Sequence, residues 1–551
     1  MAQSSGKGRL ASSGFRIAAQ DRGDDGGQRR LPAQTPRPKL ANGGAASTSK
    51  PTKSRRSNLK RSHCHRRPEG SVVRTRIAKN LEWLFQPQAP ARAPKAMFAV
   101  AGKQPFSLPS GFSGHDYAVY LLHIAAEIEH LLMVQYLYAA YSLGGSQVPD
   151  AQRPNVQRWQ ETVLGIAKEE MAHFISVQNI LRLIGGPLNL DRNDYPWDAP
   201  FYPFEFALEP LSRASLARYI VTESPETWPP DVSAEEKREI IDLATDRRTR
   251  PVKQVGDLYR LMIRVIRDES LLPDALFQAD TLPYQASWDE WGRAYRQGAR
   301  GATLTSASKT PDLLIMTAYS RDSAVQALEA VAEQGEAANI DPAIDETSHF
   351  RRFLEVYREF PKATADWSPT ANVARNPRTM GGEIPIPDTK FIANNQTRHW
   401  GDLFNLRYRM LLLYLSHAFR LSGAGPHHAD TAARGMIVHR TFGEMYNLRV
   451  IAKIIMKLPL DLPQNDLRAG PPFEMPYAVA LPAAERDCWR LHMDVLDASL
   501  TLNGKIVPHA DAQERDYLKS LAGLDRETIA AICAMMRSGD GVAMRTVRSA
   551  I

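Results

Sequence analysis

Cysteine is scarce in this chain. The three present, Cys64, Cys488 and Cys533, lie far apart in 551 residues, which excludes a disulfide framework and any cysteine-based zinc spacing. A reducing cytoplasm is the simplest setting to expect. Long apolar runs are missing as well: residues 131–143 come nearest, are interrupted by Gln135, and fall short of the roughly 20 residues of a membrane span. The start of the chain lacks an apolar signal core followed by a small-residue cleavage site. Strand-like alternation and internal repeats are absent too, which removes all-β and solenoid architectures. There is no phosphate loop after a strand, no Gly-x-Ser-x-Gly elbow and no Cys-x-x-Cys, so the commonest nucleotide, hydrolase and dithiol chemistries have no anchor.

Acidic residues are short in one region only. Residues 1–97 hold 21 Lys and Arg against 5 Asp and Glu, while the rest of the chain carries 48 against 56. The formal net charge of +8 therefore belongs to the first segment, and the body is mildly acidic. No nucleic-acid partner is expected for that body. Residues 1–97 are rich in Gly, Ser, Ala, Pro and Arg and lack a periodic apolar pattern. Such a stretch cannot bury enough surface to offset its ordering entropy. It reads as a disordered tail, an Arg/Ser-rich leader or sequence upstream of the true start. Met97 opens the patterned region directly, which favours an over-extended or disordered leader.

What is present is helical periodicity. Leu122, Ala125, Glu129, Leu132, Tyr136, Ala139 and Leu143 step by threes and fours along one face, and Gly144-Gly145 ends the run. A second helix is expected over 155–184, stopped by Gly185-Gly186-Pro187. Residues 186–210, with Tyr195, Trp197, Phe201, Tyr202 and Phe204, read as a packed loop. Further helices are expected near 213–222, 232–245, 255–270, 319–338 and 343–360. A Pro/Asn-rich connection over 361–400 separates them from four more, at 403–421, 429–458, 483–502 and 524–536. The fold class is mainly α, with a disordered tail over 1–97, a metal-binding four-helix bundle over 98–365 and a C-terminal helical region over 395–551.

The chemistry lies in the phase of these seams. On the second helix the inward positions are Trp159, Val163, Ile166, Glu170, His173, Val177, Ile180 and Ile184. Glu170 and His173 thus stand where a bundle core would place leucine. Glu346, His349, Phe353, Val356 and Phe360 repeat the pattern. Acidic-x-x-His spacing occurs three times, little more than chance for 14 His and 61 acidic residues, so phase and not frequency carries the argument. In the third pair, Glu127-His130, the seam position belongs to Glu129 instead. A carboxylate in an apolar core is costly unless it is paired or ligates a metal. Two Glu-x-x-His helices and two more helices giving one Glu each build a carboxylate-bridged two-metal site. Glu129 would be one lone carboxylate, and Glu333 or Glu336, on the Ala-rich 319–338 helix, the other. Four carboxylates and two imidazoles suit two Fe ions, or Mn, better than copper or structural zinc. By contrast, His417, His439 and His492 read as satisfied core or interface histidines, His427-His428 as solvated, Cys488-Trp489 as core, and Tyr136, Tyr138 and Tyr141 mostly as packing.

Several segments carry a resemblance. Ala126-Glu127-Ile128-Glu129-His130, Glu169-Glu170-Met171-Ala172-His173, Thr222-Glu223-Ser224-Pro225-Glu226, Val255-Gly256-Asp257-Leu258-Tyr259, Glu333-Gln334-Gly335-Glu336 and Glu346 through Phe353 occur in order. They resemble the ferritin-like domain of the iminophenyl-pyruvate dimer synthase type, found in violacein- and rebeccamycin-type pathways. The C-terminal helices, with Ala469-Gly470-Pro471-Pro472-Phe473-Glu474, are similar to the segment that commonly follows it. The best-known members are about twice this length. The resemblance implies a ferritin-like bundle holding two Fe or Mn ions on Glu129, Glu170, His173, Glu333 or Glu336, Glu346 and His349. It implies a metal-dependent oxidoreductase or oxidative coupling enzyme of secondary metabolism. The expected substrate is a small amino-acid-derived or aromatic molecule, with dioxygen as a candidate co-substrate and a homo-oligomer as a candidate assembly. The alternative is a non-catalytic ferritin-like metal-binding or scaffold protein. Asp257, where relatives often carry Glu, is expected to matter little if its segment lies outside the site.

Overall fold

The computed structural model describes residues 108–245, 252–287, 290, 315–336, 348–362, 366–381, 386–423, 433–462, 466–475 and 480–538. The expected leader over 1–97 lies outside them. Helix α1 (Gly114–Ser142) is capped by Ser113, whose side chain accepts from the Asp116 amide, and it ends where Gly144 and Gly145 take positive φ angles. Only residues without a Cβ make that reversal at little cost. Helix α2 (Arg153–Leu183) carries Pro154 in its first turn, where the missing amide loses no bond, and stops at Gly185 in the left-handed region. The two long helices pack side by side. By length and hydropathy α1 could cross a bilayer, which corrects the reading that no run approaches that length; 78% of its most apolar window is nevertheless buried inside the protein.

The rest of the bundle is made of shorter pieces. Helices α3 (Arg213–Thr222), α4 (Ala234–Thr245), α5 (Gly256–Arg267), α6 (Arg321–Glu336) and α7 (His349–Glu359) follow in order. A reciprocal capping box between Ser212 and Ser215 starts α3. α3 packs on α7 and α5 packs on α6. The Val255 amide donates to the Thr222 carbonyl at 3.0 Å, so α5 begins where α3 ends. One side of the bundle is thus built from two short helices, α3 and α5.

Beyond a loop come α8 (Asn395–Ala418), α9 (Ala433–Ile455), α10 (Glu485–Ile506) and α11 (Ala512–Ser538), with α8 packed on α9 and α10. The connection expected to be irregular contains one short parallel pair, β1 (Pro377–Arg378) with β2 (Lys390–Phe391). Its anchor is Glu474, which accepts from the Thr379 amide and hydroxyl and from Asn405. The aromatic loop is packed as expected: Tyr195, Phe201, Tyr202 and Phe204 are buried, and Tyr195 donates to the Pro377 carbonyl at 2.6 Å. Glu127 and His130 tie elements together, Glu127 accepting from Tyr202 and Asn193, and His130 meeting Tyr408 of α8. Of the C-terminal histidines, His417 and His492 are buried against each other, while His439 is exposed. His427-His428 lies outside the described residues.

Candidate metal centre

Five ionisable side chains meet at the middle of the bundle, and none is more than 4% exposed: Glu129, Glu170, His173, Glu223 and His349. They form two triads that share one member. Glu129, Glu170 and His173 offer ligand atoms all within 4.8 Å of one another, and so do Glu170, Glu223 and His349. α1 supplies Glu129, α2 supplies Glu170 and His173 one turn apart, and α7 begins with His349. The two imidazole rings lie nearly parallel, 5.4 Å between centroids.

Each imidazole is held by its outer nitrogen, with the inner one turned to the cluster. His173 Nε2 lies 2.8 Å from Gln334 Oε1, and His349 Nε2 lies 2.8 Å from Glu169 Oε2. Since those oxygens accept, Nε2 carries a proton, which leaves Nδ1, facing the cluster, as the nitrogen that would present a lone pair to a bound metal. His173 Nδ1 sits 3.1 Å from Glu170 and 3.5 Å from Glu129. His349 Nδ1 approaches Glu170 Oε1 to 2.9 Å and Glu223 Oε2 to 3.7 Å. The carboxylates are braced from behind by phenols: Tyr259 donates to Glu129 at 2.5 Å and Tyr136 to Glu223 at 2.7 Å.

The inner atoms meet one another only as ion pairs, His349 Nδ1 with Glu170 Oε1 and His173 Nδ1 with Glu129 Oε2. Glu129 Oε2, Glu170 Oε1 and His349 Nδ1 are buried without a hydrogen bond. Buried polar groups are normally bonded, and three orphans at one point fit a missing cation. The donor set, three carboxylates and two imidazoles, is one that could hold a metal ion. Protonation registers the same strain. Burial, then the Glu170 charge, pushes the Glu129 carboxyl up to about 8. Burial would lower His173, yet its bonds to Glu129 and Glu170 raise it to about 10. His349 is likewise raised against burial by Glu170 and Glu169, and burial of Glu170 is outweighed by His349 and His173, which hold it low. Protons occupy the place a cation would take. A cavity of about 20 Å³, room for roughly one water, adjoins Glu129, Glu170, His173 and Glu223. Leu132, Val255, Gly256, Tyr259, Val331, Ala332 and Gly335 complete its lining.

Among the residues singled out in the sequence, Glu129, Glu170, His173 and His349 are brought together. Glu333 is not: it is exposed, because the inward face of α6 runs through Val331 and Gln334. The side chain of Glu336, and Glu346 altogether, lie outside the described residues. Glu223, at the end of α3, stands in the cluster without having been counted as a ligand. The segment with Asp257 is not remote either, since Tyr259 of the same turn bonds Glu129. Tyr136, read mostly as packing, bonds Glu223. A glutamate at the last turn of a ten-residue helix has too little seam to set its phase. Its signal was its place in the Thr222-Glu223-Ser224-Pro225-Glu226 motif.

Fold and site together define a mainly α protein with a buried carboxylate–imidazole cluster inside a helical bundle. Residues 122–358 match the ferritin-like family model, a stretch that contains all five clustered side chains. Two relatives are related to the chain more broadly. It is 24% identical over 437 residues to the 2-imino-3-(indol-3-yl)propanoate dimerase of Chromobacterium violaceum, an alignment covering 72% of this chain and 38% of the relative. It is 26% identical over 383 residues to the dichlorochromopyrrolate synthase of Lentzea aerocolonigenes, covering 63% and 35%. The matched region thus spans little more than a third of either relative. A ferritin-like protein from Caulobacter vibrioides of solved structure is 17% identical, with a TM-score of 0.35 over 61% of this chain and 95% of that one.

Proposed function

We propose that this protein is a metal-dependent oxidative enzyme of secondary metabolism whose ferritin-like domain holds two divalent iron or manganese ions. The observation that carries the reading is the pair of triads around Glu170, with buried ligand atoms that lack a hydrogen bond. Glu129, Glu170 and His173 would hold one ion, and Glu170, Glu223 and His349 the other. Bound there, the pair supplies one-electron redox chemistry and Lewis acidity. The protein's own part is preorganisation. Tyr259 and Tyr136 fix the outer carboxylates, Gln334 and Glu169 fix the imidazole tautomers, and Leu132 and Val331 give the cavity an apolar wall.

The names of the two relatives suggest the substrate class: an aromatic 2-imino acid or a product of joining two. Joining two such molecules by a carbon–carbon bond removes two electrons and two protons, for which dioxygen is the proposed acceptor. The test is metal analysis of freshly purified, chelator-free full-length protein, followed by an assay with 2-imino-3-arylpropanoates generated in situ by an amino-acid oxidase. About two ions per chain, dioxygen uptake beyond the oxidase's own, and a product two hydrogens lighter than two monomers support the reading. Metal without turnover favours a metal-binding or scaffold role, and no metal at all ends the proposal.

A further inference from the structure

The two halves of the centre match residue for residue except at one place. Around the shared Glu170, each half has an outer carboxylate, a tyrosine donating to that carboxylate, and an inward imidazole. These are Glu129, Tyr259 and His173 on one side and Glu223, Tyr136 and His349 on the other. The difference lies behind the imidazoles. His173 leans on the neutral amide of Gln334, and His349 on the carboxylate of Glu169. Arg352 grips both oxygens of Glu169 from the far side, with Nη1 3.0 Å from Oε1, and keeps that buried carboxylate ionised. The halves also differ in access. Glu129, Glu170 and Glu223 all line the adjoining cavity, but of the two imidazoles His173 borders it and His349 does not.

A carboxylate accepting an imidazole N–H makes the opposite nitrogen a stronger donor than an amide does, and such outer partners tune metal affinity. We infer that the two positions are inequivalent: the His349 position is the tight one, and the His173 position, whose imidazole borders the cavity, is the weaker, exchangeable one. Glu169 and Gln334 are the positioning residues that set this difference. The inference rests on the proposed metal site and assigns its halves separate tasks: an anchor on the Glu223 side and an exchangeable position on the Glu129 side.

The test uses Mn(II) alone, added to metal-free full-length protein while the EPR signal of free Mn(II) reports binding. Two ions bind, in a tight and a weaker step. His349→Ala removes the tight step and His173→Ala the weaker one. Glu169→Gln, which keeps an acceptor and deletes the charge, weakens the tight step by about 10–100-fold and spares the other. Gln334→Glu, on a different helix, strengthens the weaker step and carries the test by itself if Glu169→Gln does not fold. A merely structural role would move the melting temperature without moving one step selectively. The inference is overturned if Gln334→Glu leaves the weaker step where it was, if Glu169→Gln alters both steps alike, or if His173→Ala removes the tight step. Failure of wild-type protein to bind any Mn(II) sinks the metal-site reading as well, so the two failures are told apart.

Discussion

Two regions of this molecule bury ionisable groups, and they do so in opposite ways. In the C-terminal helices, Arg407 of α8 is fully buried, donates to Glu444 of α9 at 2.9 Å, and also reaches Asp525 of α11 and Ser499 of α10. In the ferritin-like domain, three carboxylates and two imidazoles converge with no Lys or Arg among them. The first cluster contains its own cation, whose Nη1 and Nη2 are bonded while Nε has no hydrogen bond. The second has no guanidinium or ammonium of its own, and three inward atoms lack a hydrogen bond. Buried charge is thus structural where the chain supplies the counter-ion, and receptive where it does not.

The sharpest way to break this contrast is to remove the internal cation. Arg407→Met leaves Glu444 and Asp525 buried and uncompensated, and should destabilise the protein by about 3–5 kcal/mol, read by chemical denaturation. Metal content per folded chain should not change. If stability holds, the C-terminal cluster is not self-balanced as described. The converse substitution is Glu170→Gln, which removes the member common to both triads. Bound metal should fall from about two ions per chain to none, measured by elemental analysis. Far-UV circular dichroism should stay at the wild-type level, and the metal-free protein should lose less stability than Arg407→Met does.

A smaller step tests the bracing. Tyr259→Phe removes the donor behind Glu129 while filling the same space. It should weaken metal binding at the His173 position by about tenfold, the low end for an outer partner. The stability of metal-free protein should fall by only about 1 kcal/mol. An equal loss at both positions would show that Tyr259 acts on the fold and not on one carboxylate.

How legible this was varies by element. α1 and α2 are long, with apolar positions at strict three/four steps, so their inward Glu129, Glu170 and His173 follow from phase alone. His349 was reached through Phe353, Val356 and Phe360 on the same seam. On the Ala-rich 319–338 helix the pattern leaves the lone carboxylate open between Glu333 and Glu336. The structure instead uses Glu223, at the junction of two short helices where no seam is long enough to phase it. Gln334 went unseen because an amide is not a metal ligand. Its task is to hold a ligand, a relation that exists only across the α2–α6 contact. Glu169 is a neighbour of Glu170 in sequence, yet its role depends on Arg352 and His349, 180 or more residues away.

The smallest effect sharpens the contrast through pH. His492 on α10 is buried, and burial, then the neighbouring His417, lowers its pKa well below 6.5. The groups facing it are His417, which in turn bonds Glu485, and the rings of Tyr414 and Trp489. The folded state therefore holds His492 neutral, while the unfolded chain takes up a proton below pH 6.5. The unfolded state then binds more protons, so stability falls as pH drops, by up to about 1.4 kcal/mol per pH unit for one such group. This loss begins near pH 6.5 and ends once the folded pKa is passed. His492→Gln keeps a hydrogen-bonding group for His417 and cannot titrate. Denaturation midpoints measured from pH 7.5 down to 5 should fall less steeply in that variant than in wild type. An unchanged acid limb would mean that His492 is charged in the folded protein, with Glu485 acting through His417 as its counter-ion. The C-terminal region would then tolerate an added buried charge, and the contrast with the metal centre would have to rest on the carboxylates alone.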